Sequence, residues 1–207
     1  MLLRFKLWLV DKRKSWKGFW FKLLFSGSKL KIGKGFKCDS WPELNITQNG
    51  RVIIGDEVYL RRNVELRAHG DAILELKGGN RIDRGVRLLA SNQAEVIISE
   101  GARIGLYSVL NGGDSIHVGK KVLLSGFVYL QTSMHNHDKG KSVQDQGYSH
   151  QAVVLEDDVW CGAHVVVLPG VTLAKGCVVG SNAVVTKSYD VNQVIGGVPA
   201  KKLKDRN

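Results

Sequence analysis

From residue 155 to residue 196 apolar residues recur every sixth position. The hexads begin at Leu155, Cys161, Val167, Leu173, Val179, Val185 and Val191. Their first position is always aliphatic or Cys, and their fifth is mostly small or β-branched. A period of six fits neither an amphipathic helix at 3.6 nor a lone strand at 2. It predicts a parallel β-helix, in which each hexad forms one short strand and one corner. Upstream, triplets begin at Ile32/Cys38/Leu44, Ile54/Leu60/Leu66, Leu76/Ile82/Leu88 and Ile98/Ile104/Leu110, 22 residues apart each time. That is three hexads plus a four-residue enlargement at one corner. Val118/Leu124/Leu130 follows 20 residues later, and after a long interruption the triplets at Leu155 and Leu173 are 18 apart.

Three hexads per turn make a three-sided prism of about seven coils. At ~4.8 Å between stacked strands the prism is roughly 30–35 Å long. The fifth positions include Val58, Val64, Val86, Ala102, Ser108, Val122, Val128, Val159, Val165, Val171 and Ala183, side chains that fit inside a narrow turn. Gln48, Asn80, Asn92 and Asp114 also fall there, which makes the amino-terminal coils less regular. The period does not set the hand of the coil; ordinary parallel crossovers are right-handed.

Residues 2–25 follow a different rhythm. Phe5, Trp8, Leu9, Trp16, Phe19, Trp20, Leu23 and Leu24 are spaced by three or four, a helical stripe with Lys6, Lys12, Arg13, Lys14, Lys17 and Lys22 largely off it. No uncharged run approaches the ~20 residues needed to span a bilayer. Residues 7–10 are too short an apolar run for a signal-peptide core, so secretion is not expected. Two readings stand side by side. Residues 1–26 form an interfacial helix, with aromatic rings at headgroup depth and Lys/Arg drawn to anionic lipid, or they cap the solenoid or pack on a neighbouring subunit.

Charge sharpens this division. Residues 1–37 carry eleven Lys/Arg against Asp11 alone, a balance of +10, so the remaining chain supplies only +1 of the total +11. A nucleic-acid-binding body is therefore not expected. The 207 residues suffice for one core. The expected division is a basic aromatic segment, 1–30, followed by a β-helix domain, 31–207, with a loop at 131–154 and a tail at 196–207. Three cysteines form no disulfide framework. Cys38 and Cys161 fall at first positions and Cys177 at a fifth, so all three are read as small buried hydrophobes.

Between Leu130 and Leu155 the hexads give way to a polar stretch holding His135, His137 and His150. A loop this long within a regular solenoid is usually functional or disordered. An imidazole, which titrates near neutrality, suits general-base work. His135, His137 and Asp138 could also ligate zinc. His117 and His164 form no evident set with them, and no metal is expected.

The hexads, the loop opening Thr132-Ser-Met-His-Asn-His-Asp, the Val159-Trp160-Cys161-Gly162 turn and the ending Gly196-Gly-Val-Pro-Ala resemble the hexapeptide-repeat acyltransferases. The similarity is greatest to the maltose/galactoside O-acetyltransferase branch and to related polysaccharide O-acetyltransferases. The resemblance implies an all-β, left-handed parallel β-helix forming a homotrimer, with acetyl-CoA sites between adjacent prisms. It places the general base on His135, with His137 as second choice, and a backbone oxyanion donor at Ala163. It places contacts to coenzyme A on Trp160, Ala163, Ser181, Thr186, Lys187, Lys201 and Lys204. The family's polar acceptor residues fall on Arg103, Gly105 and Gly113, which do not match, leaving Tyr107, Asn111 and Asp114 as neighbouring polar candidates.

That departure and the basic aromatic amino terminus favour a polysaccharide or lipid-linked glycan acceptor over a small sugar. The expected activity is direct acetyl transfer to a sugar hydroxyl, in the cytoplasm or at the inner face of the cell membrane. The alternatives are N-acetylation of an amino sugar, including a nucleotide-linked one, a non-catalytic β-helix scaffold, and a metal-dependent protein like the carbonic anhydrases of this fold.

Overall fold

A computed structural model describes residues 2–207. Met1 and the side chains of Leu2, Arg4, Phe5 and Leu7 lie outside the described residues, and with them the place of Phe5 in the stripe. The chain enters through one helix, α1 (Leu2–Phe25), and then coils as a parallel β-helix with three faces. The first face runs from Leu30–Ile32 to Thr172–Leu173 in seven strands, and the third from Glu43–Ile46 to Val184–Val185, also in seven. The second begins at Lys37–Cys38 and has nine, because Gln193–Gly196 and the antiparallel Lys201–Asp205 extend it at the carboxyl end.

Stacking follows the hexad register. Ile54 pairs with Leu76, Leu60 with Ile82 and Leu66 with Leu88. The stack bridges the interruption, where Val118 pairs with Leu155, and continues to Leu173. First-position residues from Ile54 to Val185 are at most 1% exposed. Burying a side chain of this size contributes roughly 1.5–3 kcal/mol, so one apolar column per face supplies most of the cohesion. The fifth position points inward as well. The residue before it turns the corner in the left-handed region, as at Glu57, Asn63, Tyr107, Lys121, Phe127, Asp158, His164 and Asn182.

Two expectations about register need correction. Gln48, Asn92 and Asp114 do not point inward: the enlarged corner between the third and first faces carries them outside, and Ala68, Ala72, Ala90 and Ala94 fill the interior there. Asn80 does point inward, and its amide is satisfied by Gly78 N and Ser99 O. The last hexad also slips. Val191 is exposed, and Ile195 takes the inward place above Val179 after a shorter step.

Helix α1 docks on the first coil through Phe21, which is 1% exposed and packs on Phe36, Trp41 and Phe25. Gly18 permits this approach, since a Cβ there would collide with the Phe36 carbonyl oxygen. Lys17 and Lys22 reach the prism and donate to the carbonyls of Asp39 and Gly33. Phe21 was not part of the sequence stripe. Residues of that stripe remain in solvent: Trp16 is 65% exposed, Leu23 61% and Phe19 58%. No helix among the described residues is long and apolar enough to cross a membrane.

Candidate active site at the edges of the third face

The interruption folds as an ordered hairpin. Ser133–His135 pairs antiparallel with Tyr148–His150, and a short 3-10 turn, Val143–Asp145, lies between them. Its tip is held by Gln146, whose side chain accepts from Asp138 N and donates to the carbonyls of Asp138 and Lys141. Its base is tied down by buried Thr132, whose hydroxyl accepts from Gly113 N and Asp114 N and donates to Asn111 O, at 2.9–3.0 Å. The hairpin therefore rises from the corner between the third and first faces.

On it three rings lie in series. The His135 and Tyr148 centroids are 4.1 Å apart, and those of Tyr148 and His150 are 6.2 Å apart. His150 Nδ1 lies 2.8 Å from Ser133 Oγ. A Cβ at Gly113 would stand 3.0 Å from that same nitrogen, so His150 covers the corner glycine closely. His135 is exposed, and among the described residues its ring makes no hydrogen bond. His137 Nδ1 turns back to the His135 carbonyl at 3.2 Å. Below the hairpin a cavity of about 690 Å³ is lined by His150, Asp114, Asn92, Asp71 and His69.

The three acceptor candidates do not gather. Asp114 lines this cavity, and Asn111 lies on the adjoining third face, donating to Tyr129 Oη at 3.2 Å. Tyr107 sits at the opposite edge, the corner between the second and third faces, where it stacks on Phe127, which stacks on His164.

The residues assigned to coenzyme A divide in the same way. Trp160 lies exposed on the second face, its indole donating to Ser125 Oγ, and leads into the corner that carries Ala163. Ser181 is one coil further on, held close because a Cβ at Gly162 would stand 2.7 Å from Ser181 N. The Ala163 N–H makes no hydrogen bond among the described residues, as is also true of Leu106 and Gly126 at equivalent corners. Lys201 and Lys204 lie opposite Gly196 and Val194 on the closing strand. They form no ion pair among the described residues, whereas Lys202 pairs with Asp205. Thr186 and Lys187 fall beyond the third face, on the hairpin's side, with the Lys187 ammonium over Tyr189.

Sequence reasoning missed Tyr148, Ser133 and Thr132. The matched triplets Ser-Met-His and Tyr-Ser-His were the only cue to a paired hairpin. Among the described residues no group of three or more His, Cys, Asp or Glu side chains is placed to hold a metal ion.

Residues 152–187 match the family described as bacterial transferase hexapeptide (six repeats). Over 133 residues the chain is 32% identical to the "Putative lipopolysaccharide biosynthesis O-acetyl transferase WbbJ" of Escherichia coli (strain K12), covering 59% of this chain and 67% of that one. It spans about half or less of the next two relatives. Among solved structures it resembles a variant of AntD, an N-acyltransferase from Bacillus cereus in complex with dTDP-4-amino-4,6-dideoxyglucose and coenzyme A. The TM-score is 0.63 at 19% identity, over 86% of this chain and 84% of that one. It also resembles the polysialic acid O-acetyltransferase OatWY, with TM-score 0.57 and 20% identity over 85% and 88%. At these identities the structures establish the fold. Together with the hexad register, the sequence matches show that the chain belongs to the hexapeptide-repeat acyltransferases.

Proposed function

We propose that the protein is an acetyl-CoA-dependent O-acetyltransferase acting on a sugar hydroxyl of a cell-surface polysaccharide or its lipid-linked precursor. The observation that carries this reading is the hairpin, which holds an exposed His135 against Tyr148 above a corner cavity containing Asp114. The lipopolysaccharide O-acetyl transferase relative supports a glycan acceptor. The Ala163 N–H and the Lys201 and Lys204 ammonium groups, without a partner among the described residues, and the exposed Trp160 ring fit a thioester arm and its phosphates.

Acetyl-CoA supplies the activated acyl group. His135 accepts the proton of the acceptor hydroxyl as that oxygen bonds to the acyl carbon and the carbon–sulfur bond breaks; the proton then passes to the departing thiolate. Ala163 N–H donates to the acyl oxygen as charge develops there. Asp114 and Asn111 orient the sugar. His135 and Ala163 stand at opposite edges of the third face, one hexad or roughly 15–20 Å apart. Each site is therefore built between neighbouring copies in a trimer, with the His135 edge of one facing the Ala163 edge of the next. The docked helix, with Trp16, Phe19 and Leu23 exposed, supports placement at a membrane surface, where a lipid-linked acceptor resides.

Mass spectrometry of glycan from cells with and without this protein tests the reading. The expected difference is an acetyl group removed by mild alkali, as an ester is; an acetyl that survives alkali marks an amide and overturns O-transfer. With the glycan in hand, His135→Ala should lower kcat by about 10²–10⁴-fold while the fold is retained. Normal transfer by that variant would remove His135 from the mechanism.

A further inference from the structure

Helix α1 and the corner between the second and third faces enclose a cleft of about 550 Å³. Its walls carry Arg13, Lys14 and Lys17 from the helix and Arg61 and Arg62 from the second coil, against one carboxylate, Asp39. Asp39 is already engaged. Its side chain lies 3.7 Å from Lys14 Nζ and 3.5 Å from Arg61 Nε, and it accepts from Tyr59 Oη at 2.6 Å. Arg61 also reaches Asp83. Lys17 donates only to a neutral carbonyl, and Arg13 and Arg62 form no ion pair among the described residues. Arg13, Lys17 and Arg62 thus face one opening with no carboxylate partner of their own among the described residues, a concentration that an anion would relieve.

A second cleft of about 570 Å³ adjoins the first and shares Lys17 and Ser40 with it. Its walls are Trp16, Trp20, Leu24 and Trp41. Trp41 is fixed there by donating its indole N–H to Lys17 O, and by edge contact with Phe25. A charged mouth that opens into an aromatic trough matches a molecule with a phosphate at one end and hydrocarbon at the other.

We infer that this composite cleft is a binding site for a membrane lipid phosphate. Arg13, Lys17 and Arg62 hold the phosphate, and the tryptophan trough takes the first part of the hydrocarbon chain. The site goes beyond a basic helix attracted to a charged surface, because two of its five cations, Arg61 and Arg62, come from the prism. It orients the molecule, pinning the first coils against the bilayer. It holds whether or not the acetyl-transfer reading does.

The test uses the full chain and monomeric dihexanoyl phosphatidic acid, below the concentration at which it forms micelles. Saturable one-to-one binding by calorimetry is expected, with a change in tryptophan fluorescence. The Arg13→Gln/Arg62→Gln double variant should bind about ten- to thirtyfold more weakly, given about 1 kcal/mol per basic side chain at a lipid phosphate. Neither arginine is ion-paired among the described residues, so the variant's melting temperature should match the parent's. Trp16→Ala should lose the chain's contribution, leaving affinity near that for inorganic phosphate. Equal affinity for inorganic phosphate and the lipid in the parent would overturn the trough. Binding to vesicles of phosphatidylcholine and phosphatidic acid with none of the monomer would reduce the cleft to diffuse surface attraction. A change of oligomeric state on Trp16→Ala, without loss of lipid binding, would assign the trough to a second copy.

Discussion

Each of the three thiols sits where the hexad pattern needs a small apolar side chain. Burial pushes Cys161 up to about 12 and Cys38 up to about 11, and raises Cys177 as well. At neutral pH the thiolate, which is the reactive form, is scarce in all three. Iodoacetamide on the native protein should therefore leave all three cysteines unmodified and acetyl transfer intact, whereas urea-unfolded protein should take up three equivalents by intact-mass measurement. Rapid native labelling of any cysteine would show that a coil opens locally. The residue scale is also where sequence reasoning was most uneven. Cys38, Cys161 and Cys177 were legible because position in a hexad determines burial. Thr132 and Tyr148 were not, since a polar loop has no period and hydrogen bonds such as those from Gly113 and Asp114 to the Thr132 hydroxyl leave no trace in it.

At the scale of elements the prism is regular, yet one polar knot is set into its third face. Glu65, with a side chain only 11% exposed, accepts from Arg67 at 2.9 Å and from Arg87, one coil further on, at 2.6 Å. The Arg87 hydrogen bond is the main cause that holds the Glu65 carboxyl below its ordinary value, against the desolvation that would raise it. A lowered folded value means stability fully present above the unfolded carboxyl's range, near pH 4.5, and lost as pH falls through the folded value. Both arginines are more than a third exposed, so solvent screening tempers the pair. Glu65→Gln should therefore cost only about 1–2 kcal/mol at pH 7. The difference from the parent should shrink below pH 4 in urea melts; a gap that stays constant down to pH 3 would show that the charge contributes nothing. The helix teaches the complementary point. Its periodicity was plain in the sequence, but a stripe does not say which face docks. That choice fell to Gly18 and Phe21, because only a residue without a side chain lets the helix reach the Phe36 carbonyl.

For the whole molecule, the architecture separates the proposed base from the proposed oxyanion donor by an entire face. Rotamer changes alone do not bring His135 to Ala163 within one prism, so the proposed mechanism calls for a second copy, and the proposed trimer, with closed symmetry, would hold three such sites. This division can be tested by mixing two inactive proteins. His135→Ala disables the hairpin edge, and Ser181→Trp blocks the opposite edge beside Ala163, where Ser181 is exposed. In trimers assembled at random from equal amounts, a site has both wild-type edges with probability one half times one half, so activity should recover to about a quarter of the parent's. Co-expression, followed by measurement of acetyl transfer per trimer, gives this fraction directly. If each prism instead carried a complete site, every chain would still contain one lesion and mixing would restore nothing.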